Sequence, residues 1–139
     1  MGGEAEMTQM AASLEEAPDG RLRITTEPAA SDAAGCVVVR VHGEIDAFTA
    51  GTLREQTISA SAPLIRPRIV LDLDQVTFCD SSGLNALIAI WKIVRSRRGE
   101  LMVARPPEVC RRILARTGLD QHIGVSPTVR HALQRIAPK

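Results

Sequence analysis

The sequence predicts one α/β domain, a mixed β-sheet of four to five strands with about four α-helices packed on it. Two runs dense in β-branched residues, "CVVVRVHG" (Cys36 to Gly43) and "RIVLDLD" (Arg68 to Asp74), have the composition of strands. After the second run, Leu84, Leu87, Ile88, Trp91 and Val94 recur at helical spacing. Strand-like and helix-like segments alternate from there to the end of the chain, which calls for crossover helices. A length of 139 residues fits one domain with a sizeable core.

Taken in order, residues 1–20 read as a flexible acidic tail, with a short helix over Met7 to Glu16, and residues 21–139 as the folded domain. Arg21 to Glu27 is a short strand. The turn "PAASDAAG" joins it to Cys36–Gly43 as a hairpin. Thr49 is placed to cap a helix from Ala50 to about Ser61, with Leu53, Thr57 and Ile58 on one side, until Pro63 and Pro67 stop it. The nearly continuous apolar run Ile69, Val70, Leu71, Leu73 marks Arg68–Asp74 as a central strand buried on both faces.

The main helix runs from Ser82 or Gly83 to about Arg97. Its Leu84, Leu87, Ile88, Trp91 and Val94 are expected to face the sheet, and Asn85, Lys92 and Ser96 to face water. Ala86, Ile90 and Ile93 fall between these faces, as buried residues or as an apolar docking edge. Glu100 to Ala104 is the next strand. Pro106 and Pro107 open a helix to Thr117, which Gly118 closes. Ile123 to Val125 is a small strand, and Ser126 caps a last helix, Pro127 to Ile136.

Bulk composition narrows the function by exclusion. A net charge of +1, from 17 basic and 16 acidic residues, makes no case for nucleic acid or membrane binding. The charges are uneven: residues 1–35 hold seven acids, and residues 92–116 hold eight bases, as a solvated face or as a contact for an acidic partner. Cys36, Cys79 and Cys110 are far apart and form no CxxC pair, so they read as buried thiols in a reducing compartment. Scattered His42, His122 and His131 offer no metal-ligand spacing, and no glycine-rich phosphate loop is present. With no long apolar run, the expectation is a cytoplasmic protein without metal or cofactor.

Two short fragments carry the chemistry. In "FCDSSGLN" (Phe78 to Asn85) an acid, two hydroxyls and a glycine separate a strand from the main helix. Ser81 and Ser82 thus sit where helix N–H groups start unpaired and the dipole is positive, a setting that accepts a phosphate. Ordinary N-capping explains the same residues. "GEIDAFT" (Gly43 to Thr49) follows the best strand with a similar set. If the two strand ends adjoin, Asp46 and Thr49 lie beside Ser81. A hydrolase with Ser81 as nucleophile is the enzymatic alternative, but G-x-S-x-G is absent and His42 is the nearest base.

Together, "GEIDAFT" and "FCDSSGLN" resemble the STAS domain, and specifically the bacterial anti-anti-sigma factors, or anti-sigma factor antagonists. "ARTGLDQHI" (Ala115 to Ile123) is also similar, and the likeness spans about Arg21 to Ile136. The resemblance implies a STAS-like sheet and a non-enzymatic role. The unphosphorylated protein would bind an anti-sigma factor that is also a serine kinase of the histidine-kinase-like ATPase type, and so release a sigma factor. That kinase would phosphorylate Ser81 and end the binding, and a PP2C-type phosphatase would reverse it. Glu44, Asp46, Thr49, Asp80, Ser81, Ser82 and Asn85 are carried over as partner-binding residues, in a protein expected to be a monomer. STAS domains also occur in stressosomes and as accessory subunits of lipid transporters. Two departures stand out: the tail and the "PAASDAAG" loop are long for the family, and Asn85 stands where a small residue is usual.

Overall fold

Six strands lie in chain order across one sheet: β1 (Ser13–Glu16), β2 (Leu22–Pro28), β3 (Cys36–Ile45), β4 (Arg68–Cys79), β5 (Glu100–Ala104) and β6 (Gly124–Ser126). The structure is a computed structural model and describes residues 13–16, 20–29 and 35–136. β1 to β3 pair antiparallel; β3 to β6 pair parallel. Among the described residues four α-helices connect or follow them: α1 (Ala50–Ser61), α2 (Ser81–Ser96), α3 (Glu108–Thr117) and α4 (Val129–Ile136). The mixed α/β sheet is the architecture that the sequence predicts.

Two cores follow from the alternation of side chains along the strands. On one face Ile24, Val39, Ile69, Leu71 and Val103 meet Leu53 of α1, Leu87 and Ile90 of α2, and Leu114 of α3. On the other, Val70, Met102 and Ala104 meet Ala132 and Ile136 of α4. β4 feeds both cores, as its apolar run implies.

Several expectations need correction. Ser13–Glu16, read as tail and helix, is an edge strand: β2 otherwise leaves a row of N–H and C=O groups unpaired, and these four residues satisfy it. The rest of the Met7–Glu16 helix, and residues 30–34 of the "PAASDAAG" loop, lie outside the described residues. Toward the core, α2 turns Gly83, Ala86, Leu87, Ile90 and Val94. Leu84, Ile88, Trp91 and Ile93 are only half-buried. Small residues permit close approach to the sheet, and so the contact stripe is centred on them rather than on the largest side chains. Ala86 and Ile90 are therefore core residues, not a docking edge. Ser126 belongs to β6, and the last helix is capped by Thr128, whose hydroxyl accepts the His131 N–H at 3.0 Å.

The basic stretch is not one patch. Arg97 donates to the carbonyls of Ser61, Ala62 and Leu64 at and just past the end of α1, where helix C=O groups lack intrahelical partners. Arg105 binds Asp72 of β4 at 2.7 and 3.2 Å, and Arg112 bonds Glu108 one helical turn away.

Candidate functional site

β3 and β4 run parallel and end together. Glu44 pairs with Phe78 and Ile45 with Cys79, and the Asp80 N–H donates to the Ile45 carbonyl at 3.2 Å. The β3–α1 and β4–α2 loops are thereby joined at the carboxyl ends of the strands, the edge of an open α/β sheet where sites are usually built. The two motifs thus form one surface.

A glycine in each motif makes the approach possible. At Gly43, φ is +111°, and a Cβ would lie 2.0 Å from the Arg21 carbonyl oxygen. That carbonyl accepts the Glu44 N–H at 3.0 Å, which fixes Arg21 beside the loop. At Gly83, a Cβ would lie 2.4 Å from the Cys79 sulfur and 3.0 Å from Ile45 Cγ2. Only a bare Cα lets the first turn of α2 rest on the two strand ends.

Asp46 organises the first loop. Its Oδ1 accepts the N–H groups of Phe48 at 2.8 Å and Thr49 at 3.1 Å, and its Oδ2 is ion-paired with Arg21. Partial burial opposes its charge, but the hydrogen bond from Arg21 and the loop N–H groups outweigh it and hold the carboxyl below the ordinary carboxylate range. Thr49 is fully buried. It holds the N-cap position of α1, as expected, but its side chain bonds no helix N–H: the hydroxyl donates to the Glu44 carbonyl and accepts the Asp46 N–H, both at 2.8 Å. The side chain is instead a staple within the loop, because Asp46 already takes the N–H groups ahead of the helix.

Asp80 does for α2 what the sequence left open between several residues. It is the N-cap, and its carboxylate accepts the Ser82 N–H at 2.8 Å. Its carbonyl accepts the N–H groups of Gly83 at 3.0 Å and Leu84 at 3.3 Å. The helix therefore starts at Ser81, a residue earlier than expected. Of its first N–H groups, those of Ser82, Gly83 and Leu84 are engaged by Asp80. Ser81 is exposed at the first helical position, Ser82 is half-buried behind it, and Asn85 is exposed one turn on. Glu44 sits at the rim, its side chain 3.8 Å from Arg21.

Three residues here escaped the sequence reading. Arg21 is 25 positions from Asp46, and no local pattern links them. Phe48 is 81% exposed, with the Arg21 guanidinium 5.8 Å above its ring, and Phe78 is 44% exposed. The histidines are engaged or placed elsewhere. His122 lies against Trp91 at 5.4 Å, His131 bonds Ser126, and His42 pairs with Gln75, on the order of 10 Å back along the strand from Cys79. All three cysteines are buried; the hydrogen bond with Cys79 and burial raise the Cys110 thiol, and burial raises Cys36. Among the described residues no cluster of three or more His, Cys, Asp or Glu side chains could hold a metal ion, and no helix is long and apolar enough to cross a membrane.

The profile of the STAS domain matches residues 27–132. The chain belongs to the STAS domain family. It is 33% identical over 85 residues to the anti-sigma F factor antagonist of Paenibacillus polymyxa, which covers 61% of this chain and 73% of that protein. Against the anti-sigma-B factor antagonist of Bacillus subtilis (strain 168) the identity is 31% over 90 residues, covering 65% and 81%. The crystal structure of an anti-sigma factor antagonist from Mycobacterium paratuberculosis superposes with a TM-score of 0.72 at 32% identity, covering 88% of this chain and 98% of that one. The STAS fold is thus both the fold expected and the fold found.

Proposed function

We propose that this STAS domain protein is an anti-sigma factor antagonist. Unphosphorylated, it binds an anti-sigma factor that is also a histidine-kinase-like serine kinase, and so releases a sigma factor. Phosphorylation of Ser81 ends the binding, and a PP2C-type phosphatase restores it. The protein acts by binding rather than catalysis, as a cytoplasmic monomer, with no cofactor, nucleic acid or membrane involved. The relatives' names support the class of partner. The observation that carries the switch is the placement of Ser81: exposed, first in α2, and next to the capping Asp80.

The electrostatics favour a simple on–off control. A serine hydroxyl in an interface is small and neutral; a phosphate brings a charge of about −1.5 to −2. Asp80 repels it at once. Asp46 contributes less than its closeness suggests, because Arg21 neutralises it. The Ser82, Gly83 and Leu84 N–H groups are occupied by Asp80 and offer the phosphate little in return. Desolvating that dianion against a partner should cost about 4 kcal/mol, roughly a thousandfold in affinity. Around Ser81, the interface comprises Glu44, Asp80, Ser82 and Asn85, with Asp46 and Thr49 acting by holding the loop in shape.

To test this, the protein is incubated with purified anti-sigma kinases of the source organism and ATP, and the phosphate is mapped by mass spectrometry. Label on Ser81, and loss of kinase binding in Ser81→Asp but not in Ser81→Ala, is the expected result. If no cognate kinase labels Ser81, a STAS subunit of a stressosome or a lipid transporter becomes the better reading. Ester hydrolysis lost in Ser81→Ala would revive the hydrolase.

A further inference from the structure

The chain contains two phenylalanines and no tyrosine. Both phenylalanines are left in water, although residues of this type normally fill cores. Both also stand at the same end of the sheet, Phe48 in the β3–α1 loop and Phe78 next to the end of β4. Phe78 pairs across the sheet with Glu44, whose side chain is 3.8 Å from Arg21, and Arg21 lies over the ring of Phe48. The two phenylalanines thus stand on the two joined strand-end segments that carry Asp46 and Ser81.

Phe48 is not displayed by looseness. Asp46 binds the Phe48 N–H at 2.8 Å and is itself held by Arg21 and by the Thr49 N–H. The loop that presents the ring is pinned from both sides, which removes much of the ordering cost of binding. Among the described residues the remaining large exposed hydrophobic is Ile65, in the α1–β4 connection at the opposite ends of the strands.

We infer that Phe48 and Phe78 are the apolar anchors of the partner interface, and that the anti-sigma factor meets them with an apolar pocket. This rests on the proposed function and specifies its chemistry. Affinity comes from two aromatic side chains, and Ser81 beside them sets whether they can dock. Anchors of this type are the residues whose truncation is most costly at protein interfaces.

The experiment measures binding of the full chain to the purified anti-sigma kinase, by calorimetry, for wild type, Phe48→Ala, Phe78→Ala, Ile65→Ala and Ser81→Asp. Thermal melting of each variant runs in parallel. Phe48→Ala is expected to weaken binding about thirtyfold or more with melting unchanged, because its ring is exposed, and Phe78→Ala about tenfold with a small fall in melting, because its ring is partly covered. Ile65→Ala should bind within twofold of wild type. If both phenylalanine variants bind within threefold of wild type while Ser81→Asp abolishes binding, the anchors are wrong and the switch stands. If Ser81→Asp binds as wild type does, the proposed function fails, whatever the phenylalanines show. A concentration-dependent dimer of the free wild type, lost in Phe48→Ala, would assign the rings to a second copy and overturn the inference.

Discussion

Two acid–arginine clusters sit on this sheet, and they differ in what they leave exposed. Around Asp72, two strands and a loop close on one carboxylate. Arg105 grips it in two bonds, Arg40 of β3 approaches to 3.6 Å, and Arg40 in turn binds Glu27 of β2. Asp72 is 3% exposed, and among the described residues no large exposed hydrophobic lies next to it in β4 or pairs with it across the sheet. Around Asp46 the bonding is equally complete, with Arg21, Phe48 and Thr49 as partners, yet the rim carries an exposed phenylalanine, an exposed serine and an exposed asparagine. The first cluster is an end in itself, tying strands together on the α4 face. The second uses the same chemistry to fix an exposed loop. The two clusters therefore differ in the neighbours that each displays, not in their ion pairs.

The contrast can be broken by mutation. The largest effect on stability is expected at Asp72. Asp72→Ala leaves Arg105 and Arg40 facing a vacated site, and should cost about 3 kcal/mol, a fall of roughly 10 °C in Tm, while the surviving folded protein binds its partner normally. Loss of partner affinity in that variant, measured below its melting point, would show that the two clusters are not separable. Gly83→Ala comes next. Its Cβ must displace the Cys79 sulfur or Ile45, at about 2 kcal/mol, and because α2 then lifts from the strand ends both stability and binding should drop.

Asp80→Asn separates capping from charge. Asparagine keeps the N-cap, so melting and unphosphorylated binding should change little. The penalty that phosphorylation imposes on binding should shrink about tenfold, as the nearest like charge is gone. An unchanged penalty would place the repulsion on the partner instead.

The smallest effect is expected at Asp46, and it depends on pH. Its folded pKa lies below the unfolded one, so its contribution is complete above the ordinary carboxylate range. That contribution is lost as pH falls below about 4 and through its own lowered pKa. Asp46→Asn should therefore melt below wild type at pH 7, and the gap should narrow as the pH falls below about 4. A gap that widens on acidification would contradict the assignment of Arg21 as its partner.

What was legible in the sequence follows from range. Strands and helices announce themselves through local period, and the D-S-S-G and G-E-I-D fragments through local composition, so the fold and the meeting of the two loops were readable. The stripe that α2 buries was misjudged because Gly83 and Ala86 owe their position to what lies opposite them, Ile45 and Cys79 in the case of Gly83. Thr49 looked like a cap because its surroundings before a helix are typical of one; its real partner, the Glu44 carbonyl, depends on the turn that Asp46 builds. Arg21 was invisible for the plainest reason: the hairpin brings it across 25 residues, and Gly43 must be glycine for it to arrive. Phe48 and Phe78 would be assigned to a core by residue type, and only their exposure reveals a role.

In the proposed function a single phosphate on Ser81 decides whether this surface binds. The direct test is the Kd of the anti-sigma kinase for two preparations of the same chain, one unphosphorylated and one fully phosphorylated at Ser81. Binding weaker by about a thousandfold in the phosphorylated form is the expected result. Equal affinities, within threefold, would contradict it.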